Sequence, residues 1–137
     1  MVNTLYVAIL GALLPIPPLT GGAIENHIYY LSQKLAKKYN VSIDIYIGGE
    51  KPFIDTIHPK IRVICFPSKV FKSFTLDTML LGLRSRSSIL KINYDLVHGH
   101  VFSSLYPVSK TRRKRELYKL VYTEHFWNIL LPTNRYL

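Results

Sequence analysis

Two adjacent glycines, Gly21 and Gly22, follow an apolar run and a proline-bearing loop and lead directly into an amphipathic helical stretch. The apolar run, Leu5 to Leu10, has the length and content of a strand buried on both faces, and a loop holding Pro15, Pro17 and Pro18 does not continue a helix. From Ile24 the apolar positions Ile28, Leu31 and Leu35 recur at helical spacing, with Glu25 in the first turn and Lys34, Lys37 and Lys38 towards the end. Asn40 is a stop, and Val41 to Ile47 alternates into a second strand. The unit reads as strand, helix, strand in parallel. Lacking a Cβ, the two glycines let a ligand approach the backbone, and the first N–H groups of the helix favour an anion there. The competing reading is a flexible start to the helix with no ligand.

The rest of the chain repeats the alternation. Arg62 to Phe66 reads as a third strand ended by Pro67, and Thr75 to Ile92 as a helix weakened by Gly82 and by Ser85, Ser87 and Ser88. Asp95 to His98 is a short fourth strand, Ser103 to about Leu117 a helical crossover interrupted by Pro107, and Lys119 to Thr123 a fifth strand. Gly48 to Lys60 and Pro67 to Thr75 read as variable connecting segments. Strands joined by helical crossovers specify an α/β domain: a Rossmann-like open parallel sheet, helices on both faces, strand order 3-2-1-4-5. With 137 residues and 48% hydrophobic content, one domain spanning 1–137 is the expectation. The lone Cys65 excludes an internal disulfide and reads as a small core residue. The apolar stretch Leu5 to Leu14 lacks a basic leader and a small-x-small cleavage site and is too short to span a bilayer, so a secretory signal is not expected.

In such a sheet, ligands sit beyond the carboxyl ends of the strands, where strand order reverses. Three polar clusters fall there: Gly21-Gly22 after the first strand, His98-Gly99-His100 after the fourth, and Thr123-Glu124-His125 after the fifth. His98 and His100 would point to one side if the strand ran through them. With no third ligand at short spacing and no HExxH, a metal site is not expected. His98 also reads as a hydrogen-bonded histidine at a strand end, whereas His100 and His125 are positioned to project into the crevice.

An ordered set of motifs resembles the N-terminal domain of the retaining GT-B glycosyltransferases of family 4. It comprises Gly21-Gly22-Ala23-Ile24-Glu25, then His27 to Leu31 with Leu35-Ala36, then Asp95 to His100, and finally Val121 to His125. The resemblance implies that Gly21 and Gly22 lie against the diphosphate and sugar of a nucleotide-sugar donor and that His125 contacts the transferring sugar as the catalytic-site residue. Glu25, His98 and His100 shape the acceptor side, and the two variable segments face the acceptor. Backbone N–H groups and hydrogen bonds suit a departing nucleoside diphosphate, and no cofactor is implied beyond the donor substrate. No carboxylate nucleophile is assigned. Enzymes of this kind have a second Rossmann-like domain that supplies most nucleotide contacts. It has no counterpart in these 137 residues, and the first domain itself is expected to lack its last elements. The expected activity is therefore transfer of a sugar to a glycan or lipid-linked acceptor in concert with a second domain, subunit or further copy, the isolated chain being inactive. The apolar residues Phe126, Trp127, Ile129, Leu130 and Leu131 are expected to pack against that partner or a missing segment.

The formal charge is +10, and Lys110, Arg112, Arg113, Lys114 and Arg115 make five basic residues in six. This run reads as a solvated helix end or as an anion patch drawn to an acidic membrane, aided by Phe71, Phe74 and the helix from Thr75. A cytoplasmic, peripherally membrane-bound protein is the corresponding location. Nucleic acid is the weaker partner, since no zinc-finger, helix-turn-helix or RNA-recognition pattern accompanies the run. A dinucleotide-dependent oxidoreductase is disfavoured because Gly11, Gly21 and Gly22 do not form G-x-G-x-x-G, although Glu50 follows the second strand. A non-catalytic binding module derived from a transferase is the remaining alternative.

Overall fold

The computed structural model describes residues 3–11, 13–19, 22–115 and 118–123, the side chains of 111–115 excepted. Its elements run β1 (Leu5–Leu10), α1 (Ala23–Lys38), β2 (Val41–Gly49), β3 (Phe53–His58), β4 (Ile61–Pro67), α2 (Phe74–Lys91), β5 (Leu96–Gly99), α3 (Phe102–Arg115) and β6 (Lys119–Tyr122). They form one sheet in the order β3-β4-β2-β1-β5-β6. Every pairing is parallel except that of β3 with β4. The five strands read from the sequence thus keep their expected order, and an antiparallel sixth is added at one edge.

The added strand lies inside Gly48 to Lys60, which reads as a loop because Gly48, Gly49 and Pro52 punctuate it. Phe53 to His58 is nonetheless rich in β-formers, and a two-residue turn at Pro59 and Lys60 folds it back on β4. Its first four residues are exposed, as an edge allows. Lys60 fastens this turn to the helix layer: its Nζ donates to the carbonyls of Ala36 and Tyr39, both at 3.3 Å, where the end of α1 attracts a cation.

Alternation along β1, β2 and β4 sends apolar side chains to both faces, so two cores form. On one face Ile24, Ile28 and Ala36 of α1 meet Val7, Ile9, Ile43, Ile45 and Val63. On the other, Ile89 of α2 with Leu105 and Val108 of α3 meet Ala8, Leu10, Ile64 and Val97. Each fully buried isoleucine contributes on the order of 2 kcal/mol. Cys65 is buried in the first core, and burial pushes its thiol pKa up.

The second face also carries a polar chain, buried at Asp44 and Tyr94 and open to solvent at Arg62. Arg62 donates to both oxygens of Asp44 (Nε at 2.8 Å, Nη2 at 2.7 Å), Tyr94 donates to Asp44 Oδ2 at 2.5 Å, and the Tyr46 and Tyr94 hydroxyls lie 2.8 Å apart. This ties β2 to β4 and to the segment before β5. Burial, helped by Tyr46 and Asp44, drives the Tyr94 pKa far above the ordinary tyrosine value of 10.0.

Two elements differ from expectation. Helix α3 continues through Pro107 without interruption. Gly82 is no weak point of α2: a Cβ there would collide with the Ser104 carbonyl and approach Pro107 Cγ to 3.1 Å, so its absence lets α2 and α3 meet backbone to backbone. Gly82→Ala is therefore expected to cost about 1–3 kcal/mol in thermal unfolding despite its better helix propensity; an unchanged or raised Tm would contradict this packing. Tyr94→Phe is expected to cost about 1–2 kcal/mol at neutral pH. An unfolded tyrosine releases its proton near pH 10 whereas folded Tyr94 keeps it, so the folded state holds more protons and wild-type stability falls as pH rises past that point. The variant is expected to flatten that alkaline slope; equal slopes would show that Tyr94 does not contribute.

Candidate functional site

The carboxyl ends of β1, β5 and β6 and the start of α1 meet where strand order reverses about β1. Backbone bonds carry the sheet to this rim: His100 N–H donates to Leu10 O at 3.2 Å and Thr123 N–H to Gly99 O at 3.0 Å. The proline-bearing loop closes over the side. Its Ile16 is buried in the α1 core, and Leu14 lies beside the helix start.

Gly22 is the N-cap of α1, with extended backbone at φ −156°, ψ 116° and no side-chain cap. A Cβ there would collide with the Glu25 carboxylate and come within 2.9 Å of Leu14 Cδ1. Glu25 is buried and folds back against Gly22, where the positive end of the helix dipole favours a carboxylate. The side chain therefore occupies ground that an incoming anion would otherwise share.

Opposite stands a group of imidazoles. His98, on β5 in register with Ile9 and Val121, places Nε2 2.7 Å from the Thr123 hydroxyl. His100 is fully buried, with its ring centroid 4.1 Å from that of His98 and 5.4 Å from that of His27 on α1. His98, on β5, and His100, just beyond its end, thus share one side, as their spacing suggests. His98 takes the hydrogen-bonded strand-end position, and His100 packs inside the rim instead of projecting into open space. His27 was not singled out by sequence reasoning. Its position two residues beyond Glu25 in the opening turns of α1, at the end facing the rim, is the signal that would have found it. Among the described residues no group of three or more His, Cys, Asp or Glu side chains is arranged to hold a metal.

Of the remaining expected site residues, Gly21, Glu124 and His125, like the apolar residues 126–131, lie outside the described residues. Lys110 is described: its ammonium sits 5.1 Å from the Tyr106 ring centroid, a cation–π contact. Arg112, Arg113, Lys114 and Arg115 continue α3 as backbone, their side chains lying outside the description.

The site thus combines a helix N-terminus, a buried carboxylate and an imidazole group. The first suits an anion, and the other two can orient hydroxyl groups by hydrogen bonds. Glu25→Gln keeps the shape and removes the charge, so affinity for inorganic pyrophosphate in calorimetry is expected to rise severalfold. Unchanged or weaker binding would show that the carboxylate does not face the anion ground.

This architecture is the Rossmann-like fold of GT-B glycosyltransferases. A sucrose-phosphate synthase from Thermosynechococcus elongatus superimposes with a TM-score of 0.66 at 13% identity, over 96% of this chain and 37% of the synthase. In sequence, the chain is 30% identical over 108 residues to an Arabidopsis thaliana protein named as a subunit of phosphatidylinositol N-acetylglucosaminyltransferase, covering 76% of this chain and 24% of the plant protein. No protein-family model matches the chain. Together these similarities give the chain the fold of a GT-B glycosyltransferase domain and a sequence likeness to one such protein, and the chain spans about a quarter of that curated relative's length.

Proposed function

We propose that this chain is the acceptor-side, N-terminal domain of a retaining glycosyltransferase of family 4 and moves a sugar from a nucleotide-sugar only when a second nucleotide-binding domain or subunit completes the site. The observation that carries the reading is the convergence of the uncapped start of α1 at Gly22 with His98 and His100 at the reversal of strand order. Gly21 and Gly22 take the donor diphosphate, and His125 contacts the transferring sugar. Glu25, His98 and His100 shape the acceptor side, the buried Glu25 and His100 from within the rim, with His27 beside His100. The plant relative's name supports N-acetylglucosamine as the sugar, a phosphatidylinositol-type lipid as the acceptor, and an enzyme built from more than one chain.

Stabilising a departing nucleoside diphosphate needs donors already aimed at the developing charge. The helix start supplies one set, and the second domain supplies the rest. Isolated, the chain is expected to bind nucleotide-linked N-acetylglucosamine weakly and to turn over none. In an NMR titration of isotopically labelled chain, the Gly22, Ala23, Ile24 and His100 amides are expected to shift at millimolar ligand. Shifts confined to other parts of the sheet, or none, would leave a non-catalytic binding module as the better reading.

A further inference from the structure

Helix α2 is apolar on two opposite sides. Its inner side is occupied by Leu81, Ser85 and Ile89, all buried against the sheet and α3. At about 100° per residue, Leu76, Leu80, Leu83 and Ser87 line the opposite side, where Leu76 is 48% and Leu83 is 43% exposed. Exposed Arg84, Arg86 and Lys91 flank this outer stripe, while Asp77, the helix's one acidic residue, is turned inward and buried.

The stripe continues into the loop before the helix. Val70 is 59%, Phe71 57% and Phe74 46% exposed, set among exposed Lys69 and Lys72. Solvent ordinarily leaves such a loop loose, yet this one is pinned. The buried Asp77 carboxylate accepts from the N–H groups of both Val70 (3.1 Å) and Phe71 (2.8 Å), and Arg84 donates to the carbonyl of Pro67 at 2.6 Å. A buried carboxylate and a guanidinium thus hold two large apolar side chains out in water. Lys72 sits at φ +53°, in the left-handed region that costs a residue other than glycine.

We propose that the outer side of α2, led by the Lys69–Val70–Phe71–Lys72 tip, seats this protein on an anionic lipid surface. The helix is expected to lie parallel to the membrane, with Leu76 and Leu83 at the acyl boundary. An apolar stripe edged by five cations, with no exposed acid of its own, matches an anionic bilayer surface in both polarity and charge. The helix is too polar to cross one: among the described residues no helix is long and apolar enough to span a membrane. This seat is built from residues other than the basic run at Lys110 to Arg115. It does not rest on the transferase reading, because lipid binding is measured without donor or acceptor sugar.

The test is co-sedimentation of the 137-residue chain with phosphatidylcholine vesicles, alone or mixed with phosphatidylserine. Binding to the mixed vesicles is expected to exceed binding to the neutral ones by about tenfold or more, as expected when basic residues add to apolar insertion. Val70→Ser with Phe71→Ser, which leaves the backbone bonds to Asp77 in place, is expected to lower mixed-vesicle binding about tenfold, and Arg86→Gln with Lys91→Gln to reduce the preference for anionic lipid. A polarity-sensitive dye on Ser87→Cys is expected to shift on vesicle addition, while one on Lys37→Cys of α1 stays unchanged. Full binding by the Val70/Phe71 double variant, or equal shifts at both dye positions, would overturn the proposal. So would a chain that ignores both vesicles and instead dimerises with the dye at position 87 reporting the contact, which would assign the face to a second copy.

Discussion

Everything at the candidate site depends on β1 pairing in parallel with β2 along one edge and β5 along the other. The chain leaves β1 towards one side through α1 and β2 and returns on the other side at β5. The two connections diverge there, and the carboxyl ends of the central strands are left open between them. The start of α1 and the His98-Gly99-His100 segment are brought to one rim by this reversal, although more than seventy residues separate them in sequence. The hydrogen bonds from His100 to Leu10 and from Thr123 to Gly99 extend the pairing into the rim itself, so the positions of the imidazoles are set by the ladder.

Polar groups inside the domain act as fasteners. The Asp44–Arg62 pair, completed by Tyr94 and Tyr46, locks the half of the sheet that bears β4 and β3, while Asp77 locks the loop ahead of α2. In both cases a carboxylate that is costly to bury is compensated by multiple donors. Glu25 differs from these two. Its carboxylate lies against a glycine at a helix start, placed where an exogenous anion would compete with it.

The fold was legible because its signals are local and periodic: the apolar run Leu5–Leu10, the alternation Val41–Ile47, and helical spacing from Ile24 and from Thr75. What escaped depends on tertiary packing. Phe53 to His58 becomes a strand because the turn at Pro59 and Lys60 folds it onto the edge of β4, and Gly82 is required because the backbone of α3, distant in sequence, passes over it. Pro107 reads as a break from propensity alone, yet packing of α3 against α2 retains the helix. At the site, Gly22, His98 and His100 were found from their places after strands. The burial of His100, the approach of His27 and the turned-back Glu25 carboxylate follow from three-dimensional proximity that spacing does not encode.

Under the proposed function the domain is one half of a two-part sugar transferase, with α2 as its proposed lipid-facing side. The most direct test of that division is to determine the coding sequence beyond codon 137 and in neighbouring reading frames. The account predicts a second Rossmann-like domain, encoded in frame or by an adjacent gene, whose product restores sugar transfer when combined with this chain. Unrelated sequence, and no such domain encoded alongside, would contradict it and favour a binding module that has left catalysis behind.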